Sequence, residues 1–193
     1  MKKSADRRII KLAEQLENAD IDQETINRIM EGGEPIGKSA QPEKIADWFR
    51  GAMMKMDKLL DKEVRYALRE GCACSLGGQK LRAATKIAQE NDTLEERIKA
   101  VNAKHYICGS NVTLEKNGEL LVCGDTEGRY GNKCVCLPDA KEPLPITYCY
   151  CCAGHFKHHL QIALDRKLEC TVVSSPLNSG DKYPCTFRFR IIE

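Results

Sequence analysis

Residues 106–123 read YICGSNVTLEKNGELLVC, and this stretch decides the fold. Everything before it carries apolar residues at helical spacing. Tyr106 to Leu114 and Leu120 to Cys123 instead read as two strands, joined by the turn Lys116-Asn117-Gly118-Glu119. Asn-Gly between two strand-like runs is the strongest short hairpin signal, because both central positions of the preferred turn need positive φ. The chain therefore turns from helix to antiparallel sheet near residue 104.

Working upstream, Thr93-Leu94-Glu95-Glu96 fits a capping box, which starts a helix running to about Ala103 with Ile98 and Val101 inward. Before it, Leu81, Ala84, Ile87 and Ala88 mark another helix. Pro42 opens the clearest helical pattern of the chain, with Ile45, Trp48, Phe49, Met53, Met56, Leu60, Val64 and Leu68 recurring every three or four residues. This apolar stripe predicts core packing first; a Trp48/Phe49/Met53/Met56 face is also where a second copy could dimerise. At the start of the chain, Ser4 and Asp22 are the expected caps of two further helices, the second ending at Gly32-Gly33.

Downstream, residues 124–132 read as a polar loop, and Pro138, Pro143 and Pro145 make an irregular connector. A helix is expected over Ala153 to Asp165, with Phe156, Leu160 and Leu164 on one face and His155 and His159 on another. Leu168 to Ser174 and Cys185 to Ile192 are the last strands. In the second of these, Cys185, Phe187, Phe189 and Ile191 alternate with Thr186, Arg188 and Arg190, one buried face and one wet. The fold class is α+β: a helical region, residues 1–103, then a cysteine-rich α+β region, residues 104–193, with an antiparallel sheet and one helix packed on it.

The chain has 193 residues, 30 basic and 28 acidic, for a formal charge of +2. Such a balance gives no electrostatic case for nucleic acid or an anionic membrane. The N-terminal segment has no signal-peptide apolar block, and no stretch is long enough to span a bilayer, so a cytoplasmic location is expected.

In that compartment the 11 cysteines need an explanation other than disulfides. Cys72/Cys74, Cys134/Cys136 and Cys149/Cys151 each have Cys-x-Cys spacing, at which an internal disulfide would be badly strained. Metal or redox chemistry is the better reading. Structural zinc takes four Cys or His ligands from closely spaced pairs that folding brings together. Cys149, Cys151, Cys152 and His155 form the richest group, at a helix start whose positive end favours thiolates. Cys134 and Cys136, with Lys133 beside them, and Cys72 and Cys74 are further ligand candidates. Soft thiolates select zinc, copper(I) or an iron–sulfur cluster; zinc is the expected cofactor and an iron–sulfur cluster the alternative. Cys108, Cys123 and Cys170 on strands are expected to be core.

From Cys149-Tyr150-Cys151-Cys152-Ala153-Gly154-His155 to Cys185-Thr186-Phe187-Arg188-Phe189 the order is Cys-x4-Gly, an amphipathic helix, Ala163-Leu164-Asp165-Arg166, a Leu/Val strand, a Gly-Asp turn and a Cys-x-Phe strand. This resembles the 4-vinyl reductase domain, which is similar in fold to haem nitric-oxide-binding domains and Golgi tethering-complex subunits. The resemblance implies binding of a small hydrophobic molecule and a metal, with Cys149 and Cys185 at the family's cysteine positions. Ser174-Ser175 stands where a further cysteine is expected, and the Cys72/Cys74 and Cys134/Cys136 pairs lie outside the pattern. A Cys-x-x-Cys-His haem-attachment motif is missing from the sequence.

Three functions are compatible with these residues. The first is a zinc-binding, small-molecule-binding or sensory protein. The second is a metal- or cysteine-dependent enzyme of hydrolase type, for which Asp125, Glu127 and Tyr130 are acid/base candidates. The third is an adaptor that zinc merely stabilises.

Overall fold

In the computed structural model, residues 6–37, 39–104, 110–124 and 133–192 are described. Helix α1 (Arg7–Glu17) starts at Asp6, whose carboxylate accepts the backbone N–H of Arg8 at 2.8 Å. Ser4, the expected cap, lies outside the described residues. Helix α2 (Gln23–Met30) is capped as expected by Asp22, which accepts from Thr25 N at 2.8 Å.

The long stripe that Pro42 opens is two helices rather than one. Helix α3 (Pro42–Leu59) ends where Leu60 becomes extended, and α4 (Lys62–Gly71) restarts after Asp61. The apolar spacing continues across the break, so the pattern alone hides it. Phe49, Met53 and Met56 are fully buried, as the core-packing reading expects, so this face is not free for a second copy to dimerise on. Trp48 is half-buried and donates its indole N–H to Glu31 O at 3.0 Å.

Helix α5 (Gly78–Glu90) and α6 (Leu94–Ala103) follow, and α6 carries the full Thr93/Glu96 capping box. Strands β1 (Ser110–Leu114) and β2 (Leu120–Gly124) pair antiparallel, with Gly118 at φ +82° in the turn. The expected strand residues 106–109 lie outside the described residues.

A single 3-10 turn, Ile146–Cys149, runs straight into α7 (Tyr150–Leu164), so this helix starts three residues earlier than its apolar pattern suggests. Strand β3 (Leu168–Ser174), a short α8 (Pro176–Ser179) and β4 (Thr186–Ile191) complete the chain. The sheet order is β1-β2-β4-β3, all antiparallel. Phe187 and Phe189 are fully buried, as the alternation in β4 requires.

Helix α7 lies against β3 on one side and α4 and α5 on the other. One hydrophobic cluster joins Ile9 and Leu12 of α1 to Leu160 of α7 and Phe187 of β4. Among the described residues no helix is long and apolar enough to cross a membrane.

Candidate metal centre

The site forms where the first turn of α7 meets the loop after β2 and the inner face of α4. Cys151 and Cys152 occupy the opening turn of α7, which continues directly from the 3-10 turn Ile146–Cys149. Cys134 and Cys136 come from the loop. Arg8 holds that loop to α1: its Nη1 donates to Cys136 O, while Nε and Nη2 each donate to the Asp6 carboxylate at 2.9 Å.

Four sulfurs meet here as a chain. The Cys134 thiol donates to Cys136, and Cys152 lies between Cys136 and Cys151, within hydrogen-bonding reach of both. Those two bonds pull Cys136 down to about 3 against the opposing effect of burial, with Arg8 and Arg69 adding to the pull. Cys151 is lowered by the Cys152 hydrogen bond, again against burial, with help from Arg69. Cys134 and Cys152, the donors, are raised well above an ordinary thiol. The arrangement sets two thiols with lowered pKa beside two with raised pKa.

This chain of sulfurs is not a preformed cage. Among the described residues, no group of three or more His, Cys, Asp or Glu side chains is arranged to hold a metal ion. The donor types nevertheless suit a thiophilic cation, and two of the four sulfurs belong to a loop rather than a helix.

The other expected ligands lie around this set. Cys149 donates to Ser175 Oγ at 3.0 Å, its thiol pushed up to about 12 by burial. Cys185 is likewise pushed up to about 12 by burial. Cys72, at the end of α4, contacts Lys11 O at 3.9 Å and is raised by burial, with Arg69 opposing. Cys74 is exposed. His155 follows the cysteines on α7, but its two ring nitrogens are engaged elsewhere: Nδ1 lies 2.6 Å from Cys74 O and Nε2 lies 3.1 Å from Lys80 Nζ. Burial lowers its pKa to about 4. His158 Nε2 adds a second tie, 3.1 Å from Leu76 O, so α7 grips the 72–77 loop through main-chain carbonyls.

Of the cysteines expected in the core, Cys123 and Cys170 are half-buried and Cys108 lies outside the described residues. So do Asp125, Glu127 and Tyr130, the acid/base candidates.

Sequence reasoning missed Arg69 and Ser175. Arg69 is 2% exposed and donates from Nη2 to Tyr148 O at 3.1 Å. Its only trace in the sequence is its place three residues before Cys72, beside Leu68 of the apolar stripe. Ser175 is buried, caps α8 by accepting from Asn178 N at 3.0 Å, and also accepts from Cys149.

A model of the Family of unknown function (DUF6144) matches residues 5–191. No curated protein matches. Among solved structures, the chain is similar to an H-NOX protein from S. oneidensis in the Fe(II)NO ligation state, at 12% identity and a TM-score of 0.42, covering 96% of this chain and 98% of that one. It is also similar to a trafficking protein particle complex subunit 3 from Naegleria fowleri covalently bound to palmitic acid, at 18% identity and a TM-score of 0.37, covering 79% of this chain and 95% of that one.

Proposed function

We propose, for a chain that belongs to the Family of unknown function (DUF6144), that its function is to bind a thiophilic metal, zinc first, through Cys134, Cys136, Cys151 and Cys152, as a small-molecule-binding or sensory protein. The observation that carries this reading is the hydrogen-bonded contact of Cys136 with Cys152, which joins a loop sulfur to a helix sulfur across 16 residues of sequence. Sulfurs that share protons in this way exchange them for a cation when one is supplied, since only thiolates ligate. Binding requires the two loop sulfurs to swing from a chain into a tetrahedron around the ion, and the loop position allows it.

Cys149 and Cys185, the positions favoured by the 4-vinyl reductase resemblance, fit less well. Both are held as thiols by burial, and Cys149 already bonds Ser175. The 134/136/151/152 set is therefore preferred, with zinc as the ion and an iron–sulfur cluster as the alternative occupant.

The test is elemental analysis and an absorption spectrum of protein purified without oxygen. One zinc per chain and no colour is the expected result, and brown absorbance would assign a cluster instead. Cys136→Ser and Cys152→Ser should each release the metal, whereas Cys170→Ser should keep it. Metal-free protein whose thiols all react at ordinary rates would sink the proposal.

A further inference from the structure

The C-terminal turns of α2 and α3 enclose an open cleft of about 250 Å³, lined by Arg28, Glu31, Lys55, Lys58 and Leu59. Lys55, Lys58 and Leu59 stand three and four positions apart, so they share one face of α3. Lys55 pairs with Glu31 at 2.8 Å, whereas among the described residues Arg28 and Lys58 meet no carboxylate. The ordinary task of a basic side chain in a last turn is to serve the main-chain carbonyls left open there. Here those carbonyls accept from other donors. Met30 O accepts from Gly33 N at 3.0 Å, Glu31 O from the Trp48 indole at 3.0 Å, Met56 O from Leu60 N at 3.0 Å and Leu60 O from Arg65 Nη1 at 2.9 Å. Two cations are left over, one on each helix, and both line the same space.

We propose that this cleft binds the dianionic head of a small phosphate monoester, with Arg28 and Lys58 as its charge partners and Leu59 as the seat of a short apolar body. Three cations against one carboxylate leave an excess of two positive charges, which a dianion balances and a single carboxylate does not. A phosphate monoester carries close to two negative charges at neutral pH. The planar fork of Arg28 matches two phosphate oxygens at once, and Lys58 supplies a point charge. Leu59 packs on the core yet is half-exposed at the cleft, the only apolar side chain that lines it. The volume lies below the roughly 300–1,000 Å³ usual for drug-sized ligands, so the occupant is an ester of a few carbons rather than a nucleotide. The site is built from α2 and α3 and shares no residue with the sulfur set, so it stands whether or not those cysteines hold a metal.

The test follows amide chemical shifts of the isotope-labelled full chain during titration with phenyl phosphate, inorganic phosphate and benzoate, at low ionic strength where exposed charges are least screened. Saturable shifts are expected at residues 28–31 and 55–59, with phenyl phosphate bound more tightly than either other probe. R28Q/K58Q should weaken phenyl phosphate roughly 5- to 20-fold, the scale of two solvent-exposed charge partners lost together. E31Q removes the competing carboxylate and should tighten binding. K86Q/K99Q takes the same net charge from exposed positions on α5 and α6 and should change nothing. Misfolding cannot produce both a loss in R28Q/K58Q and a gain in E31Q. The proposal is overturned by the lack of saturable shifts at the cleft, by an equal loss in K86Q/K99Q, or by weaker binding in E31Q. Benzoate bound as tightly as phenyl phosphate overturns the dianion, and inorganic phosphate bound as tightly overturns the ester.

Discussion

Gly154 of α7 lies against the backbone of Glu70 of α4: a Cβ built at 154 would stand 2.8 Å from Glu70 Cα and closer still to the Glu70 carbonyl oxygen. Neither neighbour is a flexible side-chain end, so the helices themselves would have to separate. The glycine is what lets α4 and α7 cross this closely.

Gly154→Ala should therefore destabilise the chain by roughly 1–3 kcal/mol, the usual cost of overpacking a tight contact. Urea denaturation measures it. The same variant should bind zinc more weakly than Gly51→Ala, because a Cβ at Gly51 meets nothing within 4 Å. Equal stability of the two variants would contradict the close crossing.

Arg97 ties three chain segments together. Its Nε donates to Asn91 O at 2.9 Å, Nη1 to Leu164 O at 2.8 Å and Nη2 to Ala88 O at 3.2 Å, closing the ends of α5 and α7. Arg97→Met keeps the length of the side chain and strands those carbonyls. A loss of roughly 2–4 kcal/mol is expected, given that hydrogen bonds from a charged donor are worth about 1.5–3 kcal/mol each and water recovers part of the loss. A thermal melt with no change in Tm would rule the bracing role out.

Acid should weaken the fold through His155. Its folded pKa is lowered to about 4, first by burial, from an ordinary value of 6.5. Between those two values the unfolded chain binds the proton and the folded chain does not, so stability is intact above 6.5 and is lost progressively as the pH falls toward 4. His159, also lowered by burial, acts in the same direction. The urea midpoint should drop between pH 7 and pH 5.5, above the range where ordinary carboxylates titrate, and His155→Gln should reduce that drop. A drop of the same size in His155→Gln would assign it to other groups.

Gly118 sits at φ +82° between β1 and β2. Gly118→Ala should cost roughly 1 kcal/mol, because an L side chain is strained in that region. Far-ultraviolet circular dichroism during thermal unfolding checks it. An unchanged midpoint would mean the turn relaxes at no cost.

The hairpin, the Asp22 cap and the Thr93/Glu96 box were all legible in the sequence because each is local: the residues that make the structure sit within four positions of one another. The alternation of Phe187 and Phe189 was legible for the same reason. The break between α3 and α4 was not, because the apolar stripe keeps its spacing on both sides of Leu60 and only the backbone changes. At the site, spacing identified Cys134, Cys136, Cys151 and Cys152 as candidates but said nothing about which would meet. That depends on Arg8 reaching from α1 to Cys136 O, a contact across 128 residues. His155 was a ligand candidate by its place after the cysteines. Its engagement with Cys74 O and Lys80 was invisible, since a main-chain carbonyl carries no sequence signal. The burial of Arg69 ran against its residue type, and strong polar residues in a core are the least legible of all.

The way α7 holds the 72–77 loop has a consequence for how this protein can change over generations. His155 and His158 reach the carbonyl oxygens of Cys74 and Leu76, atoms that every amino acid supplies. The grip is blind to which side chain stands at either position. Drift at 74 and 76 is thus tolerated by the fold so long as the two histidines persist, and substitution can explore new chemistry on that loop without loosening its attachment.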